Sequence, residues 1–219
     1  MKAFVAGATG ETGRRIVRAL VERQIPVRTL VRDRVKGEEI LPEGVEIVVG
    51  DVGDRRGLED KIGDCTVLLC ATGAKPSLNP LGPFEVDYVG TKNLVDAAKL
   101  KGIEQFVLVS SLCVSRLFHP LNLFWLVLYW KRQAEAYLQK SGANYTIVRP
   151  GGLKLEDSAD NIVLEKADTL FEGSLSRTKV AKVCVDALFE AKARNQILEI
   201  VARPDAPEQS LGELLEAIA

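Results

Sequence analysis

Two spacings of apolar residues alternate along the chain. Met1–Ala6 (MKAFVA) is a short apolar run that leads into Gly7–Gly13 (GATGETG), after which apolar residues return at Ile16, Val17, Leu20 and Val21. A compact run predicts a buried strand, and return at three- and four-residue intervals predicts a helix. The chain therefore opens strand, glycine turn, helix. Further strands are predicted at Val27–Val31, Val45–Val49, Cys65–Cys70, Phe106–Val109, Tyr145–Val148 and Ile197–Val201. Helices are predicted at Asp54–Ile62, Phe84–Lys101, Lys131–Ser141, Thr178–Ala193 and Ser210–Ala219. Lys75–Pro83 carries three prolines and reads as loop. Leu153–Ser176 is polar, acidic and irregular in pattern, and long enough to cover a site. Strands alternating with helices predict the α/β class, a doubly wound parallel sheet with helices on both faces. One domain is expected over residues 1–219, with residues 151–219 contributing the substrate-side region.

Gly7, Gly10 and Gly13 stand between a strand and a helix, the context of a dinucleotide-binding turn, and make the predicted sheet a Rossmann fold. Gly7 lets the chain turn off the strand, Gly10 lets a pyrophosphate approach the backbone, and Gly13 lets the helix pack closely. The helix N-terminus adds unpaired N–H groups and partial positive charge. The spacing is GxxGxxG, not the commoner GxGxxG. The second strand ends at Arg32–Asp33, beside the position of an adenosine ribose. An acid there bonds the 2′-hydroxyl of NAD, whereas an arginine accepts the 2′-phosphate of NADP. Arg32 directly follows the last apolar residue, and Arg14, Arg34 and Lys36 add positive charge, so NADP is favoured over NAD. Arg34 and Lys36 also read as solvated loop charges. After the third strand, Asp51 is placed to bond the adenine amine or to cap the helix at Asp54, and Val52 to cover an adenine face. Ala71, Thr72 and Gly73 are small enough for a ribose to lie against the backbone.

Composition narrows the class. With 219 residues, 47% hydrophobic and 27% charged, and a net charge of -1, the chain reads as an ordinary globular domain with no basic excess for nucleic acid. Cys65, Cys70, Cys113 and Cys184 form no CxxC pair and read as reduced, buried small hydrophobes; no metal centre is expected. The chain opens directly on a strand, so no targeting segment is expected, and the location expected is cytoplasmic, or the plastid stroma for a mature plastid form. One stretch stands apart. Leu117–Trp130 (LFHPLNLFWLVLYW) holds Phe118, Phe124, Tyr129 and both tryptophans in a chain only 6% aromatic. It is too short and too interrupted to span a bilayer. It reads as core helix, as an apolar substrate wall, or as a contact surface for a partner or a membrane. His119, the single histidine, sits beside Pro120 and reads as structural.

GATGETG, the strand end VRD, the GDV turn, VDYVGTKNLVDAA, VLVSS and YTIVRPGG together resemble the atypical short-chain dehydrogenase/reductases, closest to their NAD(P)H-binding, NmrA-like group of cyanobacteria and plastids. The resemblance implies that Gly7, Thr9, Gly10, Glu11, Thr12 and Gly13 hold the pyrophosphate and Arg32 the 2′-phosphate. It places Asp51 and Val52 beside adenine, Ala71, Thr72 and Gly73 along the ribose, and Pro150 with Gly151 beside the nicotinamide. The wider family pairs serine with a tyrosine four residues before a lysine. Here Lys131 and Glu135 fit the KxxxE half of the extended members' YxxxKxxxE, but Val127 stands where the tyrosine would. Tyr129 is about 200° round the helix from Lys131. Ser111 matches the family serine, able to bond a substrate carbonyl or to cap the turn. Ser111 and Lys131 are thus the catalytic candidates of a reductase that lacks the usual tyrosine, acting on an aromatic, flavin or quinone-like acceptor. The alternative is a non-catalytic module that senses NADP(H) and binds a protein partner. A membrane-surface contact stays open, as does the choice between a monomer and a small homo-oligomer.

Overall fold

The structure is a computed structural model that describes residues 1–74 and 78–218. Lys75–Ser77 of the predicted loop and Ala219 of the predicted last helix lie outside them. The first strand, β1 (Ala3–Ala6), is buried along its length, with Ala3 and Val5 in one core and Phe4 and Ala6 in the other. It pairs in parallel with β2 (Val27–Val31) on one side and β4 (Val67–Cys70) on the other, and β3 (Glu46–Val49) extends the sheet beyond β2. Past β4 follow β5 (Gln105–Val109), β6 (Tyr145–Pro150) and β10 (Gln196–Arg203), all parallel. The order β3-β2-β1-β4-β5-β6-β10 changes winding direction between β1 and β4. In an open sheet of this kind, ligands sit outside the carboxyl ends of the strands at that point.

Helices cover both faces. α1 (Glu11–Glu22), α6 (Arg177–Asp186) and α7 (Leu211–Ala217) bury Ile16, Val17, Leu20, Val180, Cys184 and Leu214 in one core. α3 (Leu58–Ile62), α4 (Thr91–Leu100) and α5 (Val127–Lys140) bury Leu58, Ile62, Leu94, Val95 and Leu138 in the other. The four thiols are free and buried; burial pushes Cys65 up to about 11 and Cys184 up to about 12, which keeps both protonated near neutrality. No helix among the described residues is long and apolar enough to cross a membrane.

Several elements differ from expectation, each for a local reason. Arg34 and Lys36 lie on a helix, α2 (Arg34–Ile40), whose first turn is capped by Asp33 through the Lys36 amide at 3.3 Å. The helix expected from Asp54 is shortened to α3, because Gly57 takes a left-handed conformation just before it. The helix expected from Thr178 stops at Asp186; the Ala187 carbonyl, which a continuing helix would use, accepts from the Gln105 side chain at 3.0 Å instead. Leu153–Ser176 is not irregular. It holds most of β7 (Gly152–Lys154), β8 (Asn161–Glu165) and β9 (Ser174–Ser176). β8 and β9 pair antiparallel with β10, so the sheet is mixed at this end. The helix expected over Phe84–Lys101 begins as a π-helical segment, Phe84–Gly90, before α4.

Candidate cofactor and catalytic site

The glycine turn closes over the change of winding. Gly7 has φ +80°, and a Cβ there would lie 2.6 Å from the Ala71 carbonyl carbon at the end of β4. A Cβ on Gly13 would lie 2.1 Å from the Gly7 carbonyl oxygen. Both positions therefore require glycine for close approach. Gly10 donates to the Gly7 carbonyl at 3.0 Å and stands as the N-cap of α1 with no side-chain cap, so first-turn amides of α1 are open to an anion. Thr9 and Glu11 are half-buried and Thr12 is buried beside this turn. Glu11 does not face the turn unpartnered: Arg14 and Arg15 pair with it at 2.6 and 2.8 Å, and Arg15 above all holds its carboxyl below the usual range. Arg14 is thereby spent on Glu11. A cation that sequence inspection missed approaches instead. Arg177, the first residue of α6, donates from Nη1 to Thr12 Oγ1 at 3.2 Å, while its buried Nε has no partner among the described residues.

Arg32 is exposed at the end of β2 and has no ion pair among the described residues, whereas Arg34 pairs with Glu38 and donates to the Ile47 carbonyl. Asp51 accepts from the Gly53 amide at 2.8 Å and so shapes its own turn; the cap position of α3 belongs to Gly57, not Asp51. Val52 is buried, and its side chain fills the space beside Gly90, where a Cβ would meet Val52 Cγ2 at 2.6 Å. The Asn93 side chain fixes the turn by donating to the Val52 carbonyl at 2.9 Å.

Lys131 projects from α5 into the second core's side of the crevice. Its Nζ lies 2.7 Å from Asp87 Oδ1, and the other Asp87 oxygen accepts from the Ala74 amide at 3.1 Å. Asp87 comes from the π-helical segment, whose wider register turns it toward the sheet; such segments recur at functional sites. Burial opposes the Lys131 charge, but Asp87, by charge and hydrogen bond, holds its pKa above the ordinary value. A raised lysine pKa contributes stability that persists below the unfolded value and is lost only as pH rises through the folded one, so Lys131 keeps its charge at neutral pH. A cavity of about 10 Å³, room for roughly one water, opens between Lys131, Asp87, Thr72, Thr91 and Ser110. Ser110 Oγ is buried there without a partner among the described residues. Ser111 is half-buried and does not line this cavity. Side chains alternate along a strand, so Ser110 shares the face of Leu108, toward α5, and Ser111 faces away. Gly73 lies over the pair; a Cβ on it would sit 3.9 Å from Lys131 Nζ.

One turn further along α5, Glu135 meets Arg149. Arg149 is buried and pairs with Glu135 at 2.7 Å, Asp168 at 2.9 Å and Glu199 at 3.1 Å. Burial disfavours the guanidinium charge, yet Glu135 first, then Glu199 and Asp168, hold its pKa above the ordinary value. Glu199 also accepts the amides of Asp168, Thr169 and Leu170 at 2.9, 3.0 and 2.7 Å. Pro150 and Gly151 follow Arg149; a Cβ on Gly151 would lie 2.5 Å from the Gly173 carbonyl oxygen.

The aromatic stretch divides. Trp130 is half-buried, with ring centroids 4.8 Å from Phe84 and 5.9 Å from Tyr88, and locks α5 to the π-helical segment. The part before α5 is not core helix: Leu117, Phe118, Leu121, Leu123 and Phe124 are exposed, Phe118 at 98%. Asn122 makes this possible by capping α5, accepting from the Leu128 and Tyr129 amides at 3.0 and 3.2 Å. His119 Nδ1 accepts from the Leu121 amide at 3.2 Å, a structural role.

The chain matches a known family over most of its length. Residues 7–191 match the family model described as NAD(P)H-binding. The chain belongs to that NAD(P)H-binding family. An uncharacterised chloroplastic protein of Arabidopsis thaliana is 45% identical, over 99% of this chain and 82% of its own length. The chloroplastic protein TIC 62 of the same plant is 37% identical over 98% of this chain, which spans only 38% of it. Sanguinarine reductase of Eschscholzia californica is 30% identical, over 92% of this chain and 89% of the enzyme. Among solved structures, a Bacillus halodurans protein provisionally named an NAD-dependent epimerase/dehydratase superposes with a TM-score of 0.88 at 24% identity, each chain fully covered. A Veillonella parvula short-chain dehydrogenase/reductase, solved in complex with NADP, superposes at 0.75 with 20% identity, covering 96% of this chain and 99% of its own. The fold of this family member is thus a Rossmann-like sheet.

Proposed function

We propose that the chain binds NADP(H) and is an atypical short-chain reductase of an aromatic, flavin or quinone-like acceptor. The observation that carries this is the cradle of Gly7, Gly10 and Gly13 at the uncapped start of α1, set one strand away from the Lys131–Asp87 pair. The cradle fits a pyrophosphate, since α1 starts at Gly10 with no side-chain cap on its first amides, and Gly7 and Gly13 let the turn lie tight against β4 and α1. Thr9, Thr12 and Arg177 line its rim, Arg32 takes the 2′-phosphate, Asp51 and Val52 border adenine, and Ala71, Thr72 and Gly73 border the second ribose. Pro150 and Gly151 border the nicotinamide, which when bound supplies a hydride. The chain's own residues position and hold protons. Lys131 keeps its ammonium through Asp87 and donates toward ribose hydroxyls, Ser110 Oγ offers a buried hydroxyl, and Ser111 faces the acceptor. Residues 151–219 form the substrate side. That named relatives are chloroplastic supports the plastid stroma over the cytoplasm.

Native mass spectrometry of the purified protein, followed by titration with NADPH and NADH, tests the cofactor assignment. Wild type is expected to prefer NADPH. Arg32→Ala should weaken NADPH about ten- to a hundredfold and leave NADH unchanged, because a charge-assisted bond to phosphate contributes roughly 1.5–3 kcal/mol. Equal affinities in the wild type would refute the assignment. Tyr129 packs edge-on against Trp130 and does not line the Lys131 cavity. Tyr129→Phe should therefore leave reductase turnover within about twofold, against the 10²–10⁴-fold that loss of a general acid costs. A hundredfold fall in kcat with cofactor affinity unchanged would identify Tyr129 as the acid.

A further inference from the structure

We infer that a groove beside the crevice, walled by Arg116, Arg203, Leu170 and Phe171, selects an acceptor with an apolar ring body and a carboxylate. The inference rests on the reductase reading for the groove's role, though not for its existence. The groove encloses about 410 Å³, within the range of small-molecule pockets, and Thr169 and Glu172 complete its lining. Phe171 and Leu170 offer the apolar wall. Arg116 stacks on the Phe171 ring, its guanidinium carbon 3.6 Å from the centroid, which leaves the N–H rim of the guanidinium free to donate in its own plane. Neither the Arg116 nor the Arg203 guanidinium has a hydrogen bond or ion pair among the described residues, in a chain where those of Arg14, Arg15, Arg28 and Arg149 are all paired. Glu172 is the single acid of the lining, so the two arginines leave an excess of positive charge.

The wall is built rather than draped. The amides of residues 168–170 are held by buried Glu199, which Arg149 clamps in turn, and the Phe171 carbonyl accepts from Cys113 Sγ at 3.3 Å. Its position also suits an acceptor. Gly173, two residues past Phe171, abuts Gly151 at the end of β6, and Cys113 lies two residues past Ser111. A ring lying on Leu170 and Phe171 with its carboxylate between the arginines would reach from solvent to that strand end.

The test is calorimetric titration of 2-naphthoate and its neutral amide, 2-naphthamide, into the full chain, with and without saturating NADPH. Naphthoate is expected to bind about tenfold more tightly than naphthamide. Arg116→Gln and Arg203→Gln should each remove most of that preference, Arg203→Lys should keep it, and Glu172→Gln should increase it. Both arginines are exposed, so melting temperatures should hardly move. Equal affinity for acid and amide overturns the inference, as do Gln variants that bind naphthoate as well as wild type, or naphthoate that does not bind at millimolar concentration. A protein that fails to bind NADPH but keeps the charge preference sinks the reductase reading and leaves the anion groove standing.

Discussion

Gly7→Ala is expected to abolish nucleotide binding while leaving a folded protein. Two costs coincide at this residue. Its φ of +80° is in the left-handed region, where a side chain costs roughly 1–2 kcal/mol. Its Cβ would also press on the Ala71 carbonyl carbon, at 2.6 Å, and on the Thr72 amide nitrogen, at 2.8 Å. Both are backbone atoms, so relief comes only by pushing the glycine turn away from the end of β4, which widens the crevice where a dinucleotide must touch both sides. Loss of two hydrogen bonds to a charged pyrophosphate is worth about 3 kcal/mol, or more than a hundredfold in affinity. Gly44 supplies the control. It has the same φ of +80°, but a Cβ there meets nothing within 4 Å. Gly44→Ala should thus show the strain alone, a fall of roughly 1–2 kcal/mol in urea unfolding, with NADPH affinity unchanged. Retained affinity in Gly7→Ala would mean that the turn does not hold the cofactor.

The contrast between these glycines shows what the amino-acid pattern makes readable. The turn was legible because strand, glycine spacing and helix are contiguous, and each glycine serves a neighbour within a few residues or across one strand pair. The site beyond it depends on facing and on distant partners. Ser110 and Ser111 look equivalent in VLVSS, and only the side of the sheet taken by α5 tells them apart. Asp87 sits among apolar helical positions, and a π register, which apolar spacing does not announce, turns it to Lys131. Strand six reads as ending at Val148 because Arg149 is charged, yet β6 runs on to Pro150. The charge is tolerated only because carboxylates 14 and 50 residues away converge on it. β8 and β9 are hidden for a related reason: their apolar residues gain meaning only opposite β10.

The same convergence makes Arg149→Met the most destabilising single substitution expected. Removing one partner of a buried ion pair costs about 3–5 kcal/mol, because the other charge is left buried without compensation. Glu199 keeps three backbone amides, so most of the deficit falls on Glu135, whose side-chain hydrogen bonds among the described residues all come from Arg149. Glu135→Gln in the Arg149→Met background should recover about 1–3 kcal/mol, the size of coupling seen between contacting residues, because it removes the charge that the lost guanidinium leaves uncompensated. Urea unfolding of the three proteins decides the matter. A variant within about 1 kcal/mol of wild type, or a double variant no more stable than Arg149→Met, would show that the Arg149 cluster is not what holds β6, β10 and α5 together at the floor of the site.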